Sequence, residues 1–214
     1  MKHIVFHLDF ISPYAYLAFE RLPRALEGLS YSVSYRPLLF AALLKHHGQL
    51  GPAEIPVKRV WTYRQALWLA RQLDIPMDMP ASHPFNPLAH LRLALATTAD
   101  GDINRHVAET IFRDIWRGGA EAADPARLAA LAERLPRQVR DGNGESARAS
   151  LRANTEQAIA KGIFGVPTFE AEGELIWGLD GLPMLKALLE GDTWFTSESW
   201  KSSAKRPGLT RSNR

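Results

Sequence analysis

The first 37 residues constrain the fold most strongly, because their apolar pattern predicts a strand, a helix and a second strand in close succession. Apolar side chains alternate over residues 3–10, as they do in a strand with one buried face. Ser12 can cap a following helix, and Pro13 suits its first turn. A second alternating stretch spans residues 31–35 and is stopped by Pro37. This order favours a βαβ unit with a parallel pair of strands.

The long middle of the chain has a different character. Helical patterns separated by Gly and Pro run from residue 40 to about residue 159 without a convincing strand. Helices are predicted over residues 58–73, 87–99, 103–116, 125–135 and 146–161. Asp102 and Asp124 are placed to cap two of them. This stretch is typical of an all-helical insertion.

Strand patterns return after the helical stretch. They cover residues 168–171 and 175–177, and Gly173 between them predicts a hairpin turn. A last helix is predicted over residues 182–189, ending at Gly191. The two ends of the chain are therefore of α/β type and the middle is helical.

Composition limits the chemistry of the chain. It contains no cysteine, which excludes disulfides, thiolate metal sites and a protein thiol nucleophile. The net charge of +3 divides into +4 for residues 196–214 and −1 for residues 1–195. The folded part is thus not basic, which removes the main argument for a nucleic-acid partner. Residues 196–214 also have too little apolar content to order themselves, so we predict a disordered tail.

We expect that the N-terminal residues do not form a targeting signal. Asp9, Pro13 and Glu20 interrupt their apolar stretch, and no small-residue cleavage site follows. No uninterrupted apolar run approaches the roughly 18 residues of a membrane span. We therefore expect a cytoplasmic protein without a membrane partner. We also expect no metal, because the histidines, including His46 and His47, form no ligand motif.

The first candidate site lies where the first strand passes into its helix, at residues 9–14. Free backbone N–H groups and the positive end of the helix dipole meet there, which suits an anion such as a thiolate. The Ser12 hydroxyl could donate a hydrogen bond to a sulfur anion and lower the pKa of its thiol. The alternative is that Ser12-Pro13 only starts a helix.

The second candidate site is residues 164–169, where a Gly-Val-Pro step opens the hairpin. A proline entering a strand at a tight turn is a place where a cis peptide can occur. It also leaves the preceding backbone free to pair with an extended ligand. Taken alone, the step could be an ordinary turn.

The two motifs, one near each end with a helical block between them, resemble the thioredoxin-fold branch that contains DsbA, kappa-class glutathione transferases and 2-hydroxychromene-2-carboxylate isomerases. In disulfide-exchanging members a Cys-x-x-Cys motif stands where this chain has residues 12–15. Ser12 and Ala15 occupy both cysteine positions, so dithiol exchange is excluded. Residues 9–18 look especially like the isomerase branch.

The resemblance extends to about Trp194 and implies a fold. We expect a thioredoxin-like α/β domain made of residues 1–37 and 160–195. A DsbA-type or kappa-type helical domain would be inserted between them over residues 38–159. Related proteins are commonly dimers, so a homodimer is expected.

The resemblance also implies a glutathione site at the two motifs. Ser12 would contact the glutathione sulfur as the catalytic residue. The Val166 backbone, beside a cis Pro167, would pair with the cysteinyl part of the tripeptide as an added strand.

The two ends of the tripeptide would be bound by other segments. Lys58 would lie near the glycine carboxylate with Gln49 nearby, although the kappa class is expected to have asparagine in place of Gln49. Leu179 and Asp180 would lie at the γ-glutamyl end, where a carboxylate can pair with the amino group. Asp180 could instead only cap the last helix, and Lys58 could be a solvated first-turn residue.

Candidates for binding the second substrate are fewer. Trp61 and Arg64 recur at helical spacing and could bind an aromatic carboxylate, although helical aromatics are often core. Phe85 and Asn86 lie in a loop that resembles one flanking the pocket in the isomerase branch, where Asn86 could also cap a helix. Tyr14, two residues after Ser12, is the last candidate for binding the second substrate.

The resemblance implies a glutathione-dependent isomerase that converts 2-hydroxychromene-2-carboxylate to trans-o-hydroxybenzylidenepyruvate in naphthalene-type aromatic catabolism. The thiol would add transiently to the conjugated system and allow rotation. An alternative is a kappa-like glutathione transferase or peroxidase. A third hypothesis is a non-catalytic peptide-binding module, which predicts no affinity for glutathione.

Overall fold

The strands of the computed structural model, which describes residues 1–136, 139 and 144–208, come from both ends of the chain. Their bounds are Lys2–Leu8 (β1), Tyr31–Pro37 (β2), Thr168–Ala171 (β3) and Glu174–Trp177 (β4). They form one mixed sheet in the order β2-β1-β3-β4. β1 and β2 are parallel, and β3 is antiparallel to both β1 and β4. The predicted parallel pair and the predicted hairpin are therefore confirmed.

The helices lie mostly where the sequence predicts them. Their bounds are Pro13–Ala25 (α1), Phe40–His46 (α2), Pro56–Leu73 (α3), Leu88–Ala96 (α4), Arg105–Trp116 (α5), Pro125–Arg134 (α6), Glu145–Ala160 (α7), Leu182–Glu190 (α8) and Glu198–Ser203 (α9). Between β2 and β3, the only β-type pairing in the described residues is an isolated bridge from Tyr35 to Ile103. Within the described ranges, no helix is long and apolar enough to cross a membrane.

Aromatic side chains from the sheet and two helices form the centre of the main core. Phe6 of β1 packs against Phe169 of β3, with ring centroids 4.7 Å apart. Phe19 of α1 packs against Phe112 of α5 at 5.3 Å. Burying one such ring stabilises the fold by about 1.5–3 kcal/mol. Phe112 also packs against Phe10, just after β1, at 4.9 Å, and so fixes α1, and therefore its N-terminus, relative to β1.

Two helix caps were predicted from the sequence, and one of them is confirmed whereas the other was wrong. Asp124 caps α6 by accepting a hydrogen bond from the Arg127 backbone N–H at 2.9 Å. Asn104, not Asp102, caps α5. Asp102 instead forms a bidentate ion pair with Arg36, at 2.6 and 2.7 Å. The arginine at the end of β2 outcompetes the helix terminus for this carboxylate.

The turn of the β3–β4 hairpin explains the glycine at position 173. Glu172 and Gly173 have φ angles of 50° and 84°. Two consecutive left-handed residues are typical of the two-residue hairpin turn whose twist matches the strands. Glycine takes this conformation without the steric cost that a side chain brings.

The prediction of disorder from residue 196 onward was wrong for part of the segment. A 3-10 turn spans Thr193–Thr196, and α9 follows it. Trp200 packs against Trp194 and Phe195, with ring centroids 5.0 and 5.2 Å apart. These three rings supply the apolar anchor that an argument from average composition overlooks. Residues 209–214 lie outside the described residues.

Candidate functional site

The Ser12 side chain links the two sequence motifs. Ser12 is the N-cap of α1, and its Oγ accepts a hydrogen bond from the Ala15 backbone N–H at 3.2 Å. The same hydroxyl donates to the carbonyl oxygen of Val166 at 3.4 Å, and Ser12 is only 6% exposed. The fold therefore brings together two residues that are 154 positions apart in sequence. We call the junction of β1 and α1, with the facing Val166, the Ser12 corner.

The second motif is held in place on both sides. The Val166–Pro167 peptide bond is cis, as the resemblance implies. The Pro167 carbonyl accepts a hydrogen bond from the Gly178 N–H at 2.9 Å. The Thr168 hydroxyl donates to the Gly165 carbonyl at 2.8 Å. These bonds fix the backbone of Val166 where it faces Ser12.

Asp9, the first residue of the first candidate site, is a fully buried carboxylate to which the sequence analysis assigned no role. Its two oxygens accept hydrogen bonds from the backbone N–H of Ile11 at 3.2 Å and of Phe40 at 2.9 Å. Its own carbonyl accepts from the Ser12 N–H at 3.2 Å. Burial raises the pKa of Asp9 to about 7, outweighing the backbone hydrogen bonds that lower it. Asp9 thus ties the corner to the start of α2.

His83 also helps to hold the Ser12 corner in place, through the Ile11 carbonyl. Its Nε2 lies 2.8 Å from the Ile11 carbonyl oxygen, and its Nδ1 lies 2.9 Å from the Tyr63 hydroxyl. Burial lowers the pKa of His83, which favours the neutral ring. We infer that Nε2 carries the proton, because a carbonyl oxygen can only accept. In the sequence, His83 stands in a loop flanked by prolines, but no local pattern predicts its contact with the Ile11 carbonyl.

Trp116 completes the support. Its indole Nε1 donates to the Phe10 carbonyl oxygen at 3.0 Å, and its ring stacks on Tyr16 with centroids 6.2 Å apart. Phe10, Ile11 and Ser12 are therefore each anchored by a side chain or a distant backbone group. A site supported in this way is preorganised, because its geometry does not have to form when a ligand arrives.

Tyr14 faces α3 and the turn before α8. Its hydroxyl donates to Gln65 Oε1 at 2.7 Å. Burial raises the pKa of Tyr14, a hydrogen bond with Thr62 opposes the shift, and the negative charge of Asp180 adds to it. Tyr14 and Asp180, both predicted site residues, are thus close enough to interact electrostatically. The half-buried Leu179 packs against the main core beside them.

The remaining predicted glutathione residues are not joined to the corner. Gln49 and Lys58 are both exposed. Within the described part of the chain, no hydrogen bond connects either side chain to Ser12. Gln49 lies between α2 and α3, whereas Lys58 lies in the first turn of α3, and α3 meets α1 through the bond from Tyr14 to Gln65.

The predicted second-substrate residues divide into three kinds. Trp61 and Arg64 are exposed on the outer side of α3. Asn86 is exposed, and its Oδ1 accepts from the Leu88 N–H at the start of α4 at 3.1 Å. Phe85 is buried in the main core, with its ring 5.6 Å from the ring of His90. Core packing therefore occupies the Phe85 ring, and its role toward a second substrate stays a prediction.

An aromatic pair next to Val166 was missed by the sequence analysis. Phe164 and Trp177 are both exposed, with ring centroids 5.0 Å apart. The Trp177 ring covers Gly165 so closely that a Cβ on this glycine would lie 2.6 Å from the indole nitrogen. Glycine at 165 is therefore required for the approach of the ring. The alternating strand pattern of β4 was the available signal, since it turns Trp177 away from the buried Ile176.

Two open clefts lie away from the Ser12 corner. A cleft of about 130 Å³ lies near Arg36, Gly101 and Asn154, and another of about 210 Å³ lies near Arg24 and Ile75. Neither of these two clefts is lined by Ser12 or Val166. The case for the site therefore depends on hydrogen-bond geometry.

Proteins of known sequence that resemble this chain fall into two groups. The chain is 27% identical over 198 residues to a 2-hydroxychromene-2-carboxylate isomerase of Sphingobium xenophagum, covering 88% of this chain and 98% of the relative. It is 24% identical over 208 residues to glutathione S-transferase kappa 2 of Caenorhabditis elegans, covering 88% of this chain and 92% of the relative.

The fold is similar to a solved structure. A 2-hydroxychromene-2-carboxylate isomerase matches with a TM-score of 0.74 and 22% identity, over 88% of this chain and 94% of that chain. Residues 3–190 match the model of the DSBA-like thioredoxin domain. This match, the mixed sheet and the cis proline facing the N-cap of α1 agree, and the chain belongs to the family of DSBA-like thioredoxin domains.

Proposed function

We propose that the chain is a glutathione-dependent isomerase that converts 2-hydroxychromene-2-carboxylate to trans-o-hydroxybenzylidenepyruvate, in the breakdown of naphthalene-type aromatic compounds. One observation carries the proposal. The Ser12 hydroxyl lies at a helix N-terminus opposite the Val166 carbonyl, in a chain that has no cysteine. The naming of the 27% identical relative as an isomerase of this type supports it.

The residues of the corner fit glutathione by their chemistry. Ser12 supplies a hydroxyl donor, α1 supplies the positive end of a helix dipole, and the Val166 backbone suits pairing with an extended peptide. The bond from Ser12 to Val166 is long, at 3.4 Å, so its loss costs little when a ligand takes its place. Lys58 and Gln49 would hold the glycine carboxylate. Leu179 and Asp180 would hold the γ-glutamyl end.

When bound, glutathione supplies the thiol that adds to the conjugated system of the substrate and later leaves it. Ser12 would donate its hydroxyl proton toward the sulfur anion, as a charge-assisted hydrogen bond worth about 1.5–3 kcal/mol. The N-terminus of α1 would add about 0.3–1 kcal/mol in favour of the negative charge. Both effects lower the pKa of a thiol at this position. Asp9 and His83 would keep the corner in place while the proton moves.

The second substrate is an aromatic carboxylate. Tyr14 lies beside Ser12 on α1, and Trp61 and Arg64 offer an aromatic surface and a cation on the neighbouring α3. Arg64 would pair with the carboxylate and Trp61 with the ring. Phe85 would affect binding of the substrate only indirectly, through its packing in the core. Asn86 would do so through its hydrogen bond with the Leu88 N–H at the start of α4.

A kappa-like glutathione transferase or peroxidase is the second candidate. The 24% identity to a kappa transferase over 208 residues favours it almost as much as the isomerase similarity favours the first. The same corner would then serve a reaction in which the thiol stays joined to the second substrate or is oxidised by it. The products separate the two candidates, because an isomerase returns glutathione unchanged.

We further propose a cytoplasmic location and a homodimer. A reducing compartment keeps glutathione in its thiol form, and a chain without cysteine needs no oxidising one. The homodimer follows from what the resemblance implies about related proteins.

The test follows the absorbance of 2-hydroxychromene-2-carboxylate with and without glutathione. We expect no isomerisation without the thiol, and a loss of roughly 10- to 100-fold for Ser12→Ala, since one charge-assisted hydrogen bond is removed. Ser12→Thr keeps a hydroxyl and should retain more activity. A rate indifferent to glutathione, or equal in wild type and Ser12→Ala, refutes the mechanism. Conjugation of a generic electrophile well above the isomerisation rate favours the transferase.

A further inference from the structure

The aromatic pair formed by Phe164 and Trp177 lies open to solvent beside the Ser12 corner. Phe164 is 42% exposed and Trp177 is 53% exposed. Among the ring contacts within the described residues, each of these rings contacts only the other. Leu175, also exposed, stands on the same face of β4 as Trp177. The core does not use these side chains, and an exposed apolar patch of this kind indicates an interaction site.

The backbone that carries the pair is held in place by hydrogen bonds of the hairpin. Trp177 lies opposite Thr168 in the ladder of β3 and β4. The Thr168 hydroxyl donates to the Gly165 carbonyl at 2.8 Å. The Trp177 ring lies over Gly165, where a Cβ would come within 2.6 Å of the indole nitrogen. The pair is therefore a preformed surface, and binding a flat ligand there requires little ordering of the chain.

The pair is continuous with the Ser12 corner. Gly165, which the indole covers, immediately precedes Val166, whose carbonyl oxygen accepts the hydrogen bond from Ser12. A sulfur anion bound by Ser12 would therefore lie close to the pair, and so would the substrate carbon to which it adds. Trp61 approaches the corner from a different element, because α3 contacts α1 through Tyr14. A flat substrate has two faces, and one aromatic surface can cover only one of them.

We propose that the aromatic pair binds the fused ring of the second substrate on the Val166 side of the corner and selects aromatic over aliphatic electrophiles. This inference rests on the proposed function, because it assigns the pair to the same site. The planes of the Phe164 and Trp177 rings are inclined at 55° to each other. A third ring can thus stack on one of them and meet the other by its edge, and both arrangements are favourable.

An ion pair borders the apolar surface. Glu170 lies opposite Leu175 in the ladder, and it accepts a hydrogen bond from Lys161 Nζ at 2.7 Å. Lys161 offsets the charge of Glu170, so the border does not repel the carboxylate of the substrate. The apolar part of the surface is limited to the two rings and Leu175. Its size suits a small aromatic compound, since a protein partner would bury about 800 Å².

Steady-state kinetics at saturating glutathione test the assignment. Trp177→Ala should raise the KM for 2-hydroxychromene-2-carboxylate roughly 3- to 10-fold, because one aromatic contact contributes about this factor to binding. The kcat should change by less than about 2-fold, since the ring binds substrate and transition state alike. Trp177→Phe keeps a ring and should recover most of the loss. Trp194→Ala, which removes a similarly exposed indole from another cluster, is the control.

Fluorine NMR of the chain labelled with 5-fluorotryptophan gives a readout that needs no turnover. The chain has six tryptophans, and the Trp177 resonance is the one lost in Trp177→Phe. Benzoate should shift this resonance at a lower concentration than cyclohexanecarboxylate, which has the same charge and a similar size but no aromatic ring. The Trp194 resonance should move with neither compound.

The outcomes separate this inference from the proposed function. A wild type without glutathione-dependent turnover contradicts both. Turnover that depends on glutathione and on Ser12, with a substrate KM unchanged in Trp177→Ala, overturns this inference alone. A larger change in the KM for glutathione than in that for the substrate also overturns it, because the pair would then bind the tripeptide. So does an equal response of the Trp177 resonance to both carboxylates.

Discussion

The Ser12 corner and the outer side of α3 both carry aromatic and polar side chains, yet they are built in opposite ways. At the corner, Trp116 is fully buried and its indole N–H is bound to a carbonyl oxygen. On α3, Trp68 is mostly exposed. The comparison teaches that similar residues position backbone groups in one place and lie open to solvent in the other, and that burial with satisfied hydrogen bonds separates the two.

The largest loss of stability is expected when the tryptophan that supports the Ser12 corner is replaced. Trp116→Ala should lower the free energy of unfolding by about 3–5 kcal/mol, because it opens a cavity and leaves the Phe10 carbonyl without its donor. Denaturant unfolding followed by circular dichroism measures the effect. A loss below 1 kcal/mol would mean that the corner is not supported by this side chain.

The pH dependence of stability tests whether burial raises the pKa of Asp9. Burial raises its pKa from 3.8 to about 7. The unfolded state therefore loses its proton first, and this carboxyl makes the free energy of unfolding fall as the pH rises from about 3 to about 8, by roughly 4 kcal/mol in all. Above that range its contribution is constant.

A matched variant isolates this effect, because buried histidines act in the opposite sense. Burial lowers the pKa of His83 and lowers that of His90 to about 4, so both make stability rise with pH in the same range. Asp9→Asn keeps one acceptor for the backbone N–H groups and does not titrate. The wild-type curve minus the Asp9→Asn curve should fall between pH 4 and 7, and a flat difference contradicts the burial argument.

The close approach of Trp177 to Gly165 predicts a smaller, reversible effect. Gly165→Ala should cost about 1–2 kcal/mol, since the ring is exposed and can partly move away. Adding Trp177→Ala should recover most of the loss in a double-mutant cycle. Additive losses would show that the ring does not lie over this glycine.

Two helix caps allow the role of Ser12 in capping to be separated from its role toward a thiol. Ser12→Ala and Asp124→Ala should each cost about 1 kcal/mol of stability, because each removes a bond to a backbone N–H of its helix. Only Ser12→Ala should reduce the glutathione-dependent rate. If Asp124→Ala reduced it equally, loss of stability would explain the activity of both variants.

The smallest effect is expected on α3. Trp68→Ala should change the free energy of unfolding by no more than about 0.5 kcal/mol at low protein concentration, since the ring is largely solvated. Thermal unfolding at low protein concentration measures it. A loss as large as that of Trp116→Ala would remove the contrast between the two regions.

The parts of the fold that could be predicted from sequence are those decided by local signals. Ser12 and Asp124 cap helices, and Gly173 forms the hairpin turn, because each acts on backbone groups within a few residues. The same local reasoning failed for Asp102, because Arg36 competes for its carboxylate from a distant strand. It failed for part of the tail because average composition hides the cluster around Trp200.

The candidate site was only partly predictable for a related reason. Ser12 and Val166 were identified because two motifs were considered together with a resemblance. The hydrogen bonds between Asp9 and Phe40 and between His83 and Ile11 join segments far apart in sequence, and no local pattern predicts them. The exposure of Trp61 could not be predicted, since a buried and an exposed helix face can carry aromatic side chains at the same spacing.

The pKa of the glutathione thiol in the presence of the chain tests the central claim most directly. Ultraviolet absorbance of the thiolate, followed through a pH titration of the complex, reports it. We predict a pKa clearly below the value of about 8.5 for a free cysteine thiol, raised again by Ser12→Ala. A thiol that titrates at its free value in both proteins, or that does not bind at all, would contradict the account.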